Sequence, residues 1–258
     1  MNSRENAPQG VSTPVLAVDR LAKSFGGIEA VRDVSFAVGA SEMVAVIGPN
    51  GAGKTTLFNL VNGQLAPDAG TVTLLGQRIE GLPSRTIARA GIGRTFQIAA
   101  TFASMSVREN VQIALAARAD EQYRVGTRAT DIHVKEADAL LERVGLAALA
   151  DQGCATLAYG DAKRIELALA LANAPKLLLM DEPTAGMPMP ARASLMLLVA
   201  DLARAEGIAV LFTEHDMDVV FGHASRIIVL DRGRLVAEGA PSAIRADPRV
   251  QAIYLGAA

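Results

Sequence analysis

An α/β fold, with a central sheet of mostly parallel strands and an inserted helical lobe, is what this sequence predicts, on three observations. A glycine-rich segment, Gly48-Pro49-Asn50-Gly51-Ala52-Gly53-Lys54-Thr55-Thr56, sits between an apolar run over 43–47 and a helix-like pattern over 56–61. Two further apolar runs, over 177–180 and 208–213, break off at polar residues, Asp181-Glu182 and Glu214-His215-Asp216. Between about 98 and 160 the strand patterns vanish, and apolar residues recur at helical spacing. Strands that are apolar throughout are buried on both faces, as parallel sheets covered by helices require.

Taken in order, residues 1–14 are polar, with Pro8, Gly10 and Pro14 and no hydrophobic stretch of the kind a signal peptide carries. They are expected to form a loose tail, and residues 15–258 a single domain. A first strand is expected over 15–18, a glycine turn at Phe25-Gly26-Gly27, and an alternating second strand over 34–38. The run 43–47 is the buried strand before the glycine loop. Pro67-Asp68-Ala69-Gly70 is expected to turn into a strand over 71–75. In the lobe, Val111 and Leu115, then Ala137, Leu140, Leu141 and Val144, mark helical faces, and 120–130 reads as a solvated connection. After the 177–180 strand, Pro183 ends strand pairing, and a helix over 191–206 stops at Gly207. Strands over 226–230 and 234–239, joined at Asp231-Arg232-Gly233, predict a hairpin, followed by a short helix over 241–246.

The chain has 258 residues, half of them apolar, enough for a sizeable core. Its formal net charge is −2 and no basic run is present, so composition gives no support for nucleic-acid binding. The single cysteine, Cys154, excludes an internal disulfide and reads as a small buried side chain. A mean hydropathy of +0.27 is high for a soluble protein. Even so, charges interrupt every apolar stretch short of the roughly 18 residues a spanning helix needs. A cytoplasmic protein with apolar surface for a partner is the expectation.

Residues 48–55 complete the pattern G-x-x-x-x-G-K-[ST], in the strand–loop–helix context that makes it a phosphate site. The glycines let backbone N–H groups converge on phosphate oxygens, and the helix N-terminus adds its positive dipole. Lys54 would reach the β- and γ-phosphates, the Thr55 hydroxyl would ligate Mg²⁺, and Thr56 would touch the phosphates near the α position. Asp181 would hold Mg²⁺, Glu182 would orient and deprotonate an attacking water, and His215 would contact the γ-phosphate. Phe25 offers a ring for a purine, although a phenylalanine at a strand end is more commonly core.

With these motifs in this order, the chain from Val15 onward resembles the ATP-binding subunits of ABC transporters. The resemblance rests on the loop at Gly48, a glutamine at Gln97, a signature at Leu157-Ala158-Tyr159-Gly160-Asp161, the carboxylates at Asp181-Glu182 and the histidine at His215. It implies a P-loop fold with an added antiparallel β subdomain. It also implies that Phe25 stacks on adenine, that Gln97 links Mg²⁺ and the attacking water to the lobe, and that Glu182 is the catalytic base. ATP and Mg²⁺ are the implied cofactors, the ion held by Thr55, Gln97 and Asp181. Loop and signature of one chain face apart in this family. Two subunits therefore sandwich two ATP molecules, and residues 157–161 of one complete the site of the other. The implied partners are a second ATP-binding subunit, two membrane permeases, one of which the segment around 98–110 would press, and indirectly a periplasmic binding protein. The implied location is the cytoplasmic face of a bacterial inner membrane.

Three stretches are similar to the branched-chain amino acid importer branch: Gly93-Arg94-Thr95-Phe96-Gln97 with residues 105–111, residues 181–187, and the ending over 246–256. Related branches carry urea, amides or aromatic acids, and an exporter ATPase or a non-transport relative would share the same chemistry. Two departures stand out. The family signature is usually Leu-Ser-Gly-Gly-Gln, whereas here Ala158 replaces the serine, Tyr159 a glycine and Asp161 the glutamine. The lost hydroxyl removes a charge-assisted hydrogen bond of about 1.5–3 kcal/mol, so slower hydrolysis is expected at the site this signature completes. The aspartate usual after the carboxylate strand is absent from Ala185-Gly186-Met187-Pro188.

Overall fold

A computed structural model describes residues 13–95, 101–119 and 132–255. Two sheets and a helical lobe share a pair of apolar cores. The first sheet is antiparallel, with β1 (Leu16–Phe25), β2 (Ile28–Val38), β4 (Ala69–Leu74) and β5 (Gln77–Arg78) in the order β2-β1-β4-β5. The second contains β3 (Met43–Ile47), β6 (Ile92–Thr95), β7 (Leu177–Asp181), β8 (Ala209–Thr213), β9 (Arg226–Asp231) and β10 (Arg234–Gly239). Its order is β10-β9-β3-β8-β7-β6; every neighbouring pair is parallel except the β9–β10 hairpin.

The continuous apolar runs have a direct physical cause. In β3, Met43, Ala45 and Ile47 enter one core while Val44 and Val46 enter the other. The same alternation splits Leu178 and Met180 from Leu177 and Leu179, and Val210 and Phe212 from Ala209 and Leu211. Each strand is buried on both faces, so polar side chains enter only at the strand ends, as Asp181 and Thr213. On one face lie α1 (Lys54–Val61) and the antiparallel sheet; α6 (Met189–Glu206) packs on the other.

The lobe is built from α3 (Val107–Arg118), α4 (Val134–Arg143) and the start of α5 (Tyr159–Leu171). A capping box starts α3: Ser106 Oγ accepts from the Glu109 N–H, and Glu109 Oε2 accepts from the Ser106 N–H. Val111, Leu115, Ala137, Leu140, Leu141 and Val144 are all buried, as their spacing predicts. The C-terminal end of α5 reaches the sheet, where Ala170 lies against Gly93 of β6. Short helices α2 (Ser84–Ala90), α7 (Met217–His223), α8 (Pro241–Ala246) and α9 (Pro248–Leu255) complete the chain.

Several elements differ from the expectation. β1 and β2 are longer than the apolar patches at 15–18 and 34–38, because their outer faces carry exposed charge. Helix α5 begins within the signature, so Tyr159, Gly160 and Asp161 form its first turn. Phe25 is outside the core: it ends β1 at a hairpin tip, 46% exposed, with Lys23 Nζ 5.6 Å from its ring centroid. Cys154 is half-buried, its sulfur accepting a 3.2 Å hydrogen bond from Asn110 Nδ2. Among the described residues no helix is long and apolar enough to cross a membrane.

Candidate functional site

β3, β8 and β7 are adjacent and parallel, so their C-terminal ends open at one edge of the sheet. The glycine loop follows β3, Asp181 ends β7 with Glu182 next in the chain, and His215 follows β8. Topology thus gathers groups far apart in the chain, at the sheet edge where open α/β folds bind ligands.

The loop is shaped by its backbone. Gly53 has φ +104, and a Cβ there would overlap the Ala30 carbonyl of β2. Gly48, at φ +153, lies equally close to the Leu230 carbonyl of β9. Gly233, in the β9–β10 turn, donates to the Ala52 carbonyl at 3.0 Å and accepts from the Arg32 N–H at 2.7 Å. Loop, hairpin turn and β2 therefore form one rigid cradle, and only glycine fits at its contact points. Lys54 is buried at the first position of α1. Its Nζ donates to the carbonyls of Gly48 at 2.7 Å and Pro49 at 3.1 Å. Burial pulls the Lys54 ammonium below its ordinary pKa, while the charges of Glu182 and Asp181 pull the other way. Thr55 is exposed and Thr56 half-buried in the next positions of the helix.

Asp181 is buried and accepts a 2.7 Å hydrogen bond from Thr213 Oγ1. Arg94 Nη2 of β6 stands 3.6 Å from its other oxygen. That guanidinium also donates to Asn59 Oδ1 at 2.8 Å and Gln64 Oε1 at 3.1 Å, which ties the sheet edge to the end of α1. Burial lowers the Arg94 pKa, and Asp181 opposes the shift. Glu182 has φ +50, a left-handed conformation costing on the order of 1–3 kcal/mol. Bonds from its N–H to the Thr213 carbonyl at 3.2 Å and Thr213 Oγ1 at 3.1 Å hold it there. The carboxylate reaches the end of β8, where Glu182 Oε1 meets His215 Nε2 at 2.8 Å.

Sequence patterns carry no sign of the supports behind these groups. Glu214, beside His215, is buried and accepts from the Thr184 N–H at 2.8 Å and from Thr184 Oγ1 at 2.7 Å. Arg192 of α6 bonds Asp216 and donates to the Met187 carbonyl at 2.6 Å. Burial alone would raise the Asp216 pKa, but N–H groups of Val219 and Asp218 and the Arg192 guanidinium together hold it low. Tyr254 of α9 lies against the loop; desolvation pushes its phenol up to about 12, against the pull of the Gly48 backbone. The aromatic in the C-terminal segment is the available signal for that contact.

The signature residues lie at the lobe end of α5, against the loop that follows Glu182. Leu157 is half-buried; Ala158 is exposed and occupies the N-cap of α5, with no side-chain cap. Asp161 stands in the first helical turn, where its charge offsets the helix dipole. Tyr159, 51% exposed, donates from its hydroxyl to the Ala185 carbonyl at 2.9 Å. Gln97 lies outside the described residues.

The donor set fits a nucleotide with a hard cation. Among the described residues no group of three or more His, Cys, Asp or Glu could hold a metal. Magnesium bound through one hydroxyl, one carboxylate and the phosphates of its nucleotide asks for no such protein cage.

Residues 31–185 match the family described as ABC transporter. The chain belongs to the ABC transporter ATP-binding family. The ending, residues 234–258, matches the family described as branched-chain amino acid ATP-binding cassette transporter. The chain is 40% identical over 259 residues to the high-affinity branched-chain amino acid transport ATP-binding protein LivG of Salmonella typhimurium, covering 96% of this chain and all of that one. Identity to BraF of Pseudomonas aeruginosa, which carries the same description, is 38% over 255 residues, with 96% and 100% covered. Among solved structures, the ADP conformation of an ATP-binding cassette of an ABC transporter superposes with a TM-score of 0.84 at 29% identity, covering 95% of this chain and 100% of that one. This ABC ATPase therefore has the α/β cassette fold and binds adenine nucleotides, as the family does.

Proposed function

We propose that this ABC ATPase hydrolyses ATP to drive an importer of branched-chain or closely related amino acids. The observation that carries the catalytic reading is the Glu182–His215 pair, held 2.8 Å apart beside the phosphate loop. Lys54 leaves the loop carbonyls to meet the β- and γ-phosphates, and the loop N–H groups hold them. Glu182 takes a proton from water as the water oxygen bonds the γ-phosphorus and the β–γ bridging oxygen leaves with ADP. His215 keeps the Glu182 carboxylate aimed at that water. A magnesium ion held by Thr55 and Asp181, with Gln97, would neutralise charge on the leaving phosphate. Phe25, exposed at its hairpin tip, would stack on adenine. Two such cassettes, one contributing 157–161 to the other's site, would form the working pair.

The transport reading has its own support. A groove between α2, α3 and α5 is lined by Ile87, Arg94, Phe102, Ile113, Glu166 and Leu169. Phe102 on its rim is 55% exposed. Such a largely apolar cleft suits a cytoplasmic helix of a permease at a bacterial inner membrane. The C-terminal family match and the LivG and BraF likenesses support the substrate class.

The test is ATP-driven uptake of radiolabelled leucine, isoleucine and valine by membrane vesicles from cells with and without this chain. Loss of all three uptakes on deletion, restored by the native chain and not by Glu182→Gln, is the expected result. Unchanged uptake of all three, with urea, amide or aromatic-acid uptake lost instead, would overturn the substrate class.

A further inference from the structure

Side chains from three elements hold the 182–187 loop that carries Glu182. Glu214, after β8, fixes Thr184 through two hydrogen bonds. Arg192, on α6, fixes the Met187 carbonyl. Both belong to the α/β body. The third, Tyr159, belongs to the lobe end of α5, and its hydroxyl donates to the Ala185 carbonyl at 2.9 Å. Ala185 in turn donates its N–H to the Glu182 carbonyl at 3.1 Å. A single residue's peptide groups thus separate the lobe from the backbone of the carboxylate, which is itself in a strained conformation.

The Tyr159 ring is half exposed and has two close neighbours. Gly186, at φ +76, lets it approach so closely that a Cβ there would lie 3.3 Å from the hydroxyl oxygen. Lys163 Nζ is 5.7 Å from the ring centroid, and Lys163 pairs at 3.2 Å with buried Glu166. The link between α5 and the 182–187 loop is therefore the hydroxyl bond itself, made from the first turn of the helix.

We propose that Tyr159 is a positioning residue for hydrolysis: its hydroxyl ties the loop bearing Glu182 to the lobe of the same chain, so the carboxylate's aim follows the lobe's position. The proposal rests on the reading of Glu182 as the base. It gives the unusual tyrosine of the signature segment a role inside its own subunit.

The experiment uses the complete transporter, purified with its membrane subunits, and compares native protein with Tyr159→Phe, Glu182→Asp, the double variant and Glu182→Gln. Removing one hydroxyl should lower kcat about five- to tenfold, the worth of one hydrogen bond, with KM for ATP changed less than about twofold. In the cycle with Glu182→Asp the two losses should fall short of multiplying, because both act on one carboxylate. ATP affinity, measured in the non-hydrolysing Glu182→Gln background, should fall by less than about twofold on adding Tyr159→Phe, since the ring is kept and the hydroxyl is taken by the Ala185 carbonyl. Multiplying losses, an unchanged kcat, or KM and kcat moving together would overturn the positioning role while leaving the base intact. Normal hydrolysis by Glu182→Gln would instead remove the base reading on which the proposal stands.

Discussion

Glu182 Oε1 and His215 Nε2 lie 2.8 Å apart and bridge the ends of β7 and β8. Neither side chain needs the other to fold, since Glu182 is anchored through its N–H to Thr213. His215→Ala should therefore leave ATP binding nearly intact. It should lower kcat about 100-fold, in the range that positioned acid–base groups supply. Single-turnover hydrolysis with separately measured ATP affinity checks this; a proportionate loss of affinity would mean that His215 holds nucleotide and not the base.

Gly53→Ala tests the cradle. At φ +104 the new Cβ would meet the Ala30 carbonyl of β2. The loop must shift, and the backbone strain is on the order of 1–3 kcal/mol before any overlap is relieved. Nucleotide binding should be lost while the far-ultraviolet circular dichroism remains native. Binding retained within a factor of about three would show that the loop adapts, contrary to a rigid cradle.

Ala158→Ser bears on stability and turnover together. Ala158 is the N-cap of α5, in the extended conformation that lets a serine oxygen accept from the first turn. The substitution should add about 1 kcal/mol, seen as a melting temperature about 2–4 °C higher for a domain of this size. On the proposed pairing of two cassettes, we also expect faster hydrolysis at the ATP site to which the 157–161 segment is assigned, because the added hydroxyl would offer phosphate a hydrogen bond. Turnover measured site by site would show it, and a stability gain with no gain in turnover would leave the serine a helix cap alone.

What is legible in the sequence follows burial. β3 has the bounds its apolar run predicts, because a strand buried on both faces is apolar throughout and stops where those residues stop. The polar residues at the ends of β7 and β8 are legible for the same reason, and parallel pairing brings them together. Strands with one solvated face outrun their apolar patches: β1 continues through Asp19 and Arg20, where the apolar pattern stops. Helix α7 escapes a reading of the sequence because its N-cap, Asp216, directly follows the histidine that ends the strand segment. The supports of the site, Thr184 with Glu214 and Arg94 with Asp181, join separate elements of the chain. No periodicity marks such pairs, since each is set by how those elements dock.

Glu42 and Arg226 give the fold a dependence on pH. Glu42 lies between β2 and β3; it accepts from Arg226 Nε at 2.6 Å, from Nη2 at 2.8 Å and from the Gly39 N–H at 2.8 Å. Burial alone would raise its pKa, but Arg226 and the Gly39 N–H outweigh that and hold the carboxyl below the ordinary 4.5. The unfolded chain therefore binds a proton more readily than the native one. The pair's stabilisation is present in full above the unfolded value and is lost as pH falls through the lower, folded one. Arg226→Met should cost about 2–3 kcal/mol at neutral pH, since it leaves a partly buried carboxylate without its partner. It should cost much less at about pH 3, below the unfolded value, where the pair's contribution is being lost. Urea unfolding of the two proteins at neutral pH and at the acidic value measures the difference. An equal cost at both would mean that Arg226 acts through its bonds to Glu238 and the Ala37 carbonyl, and not through Glu42.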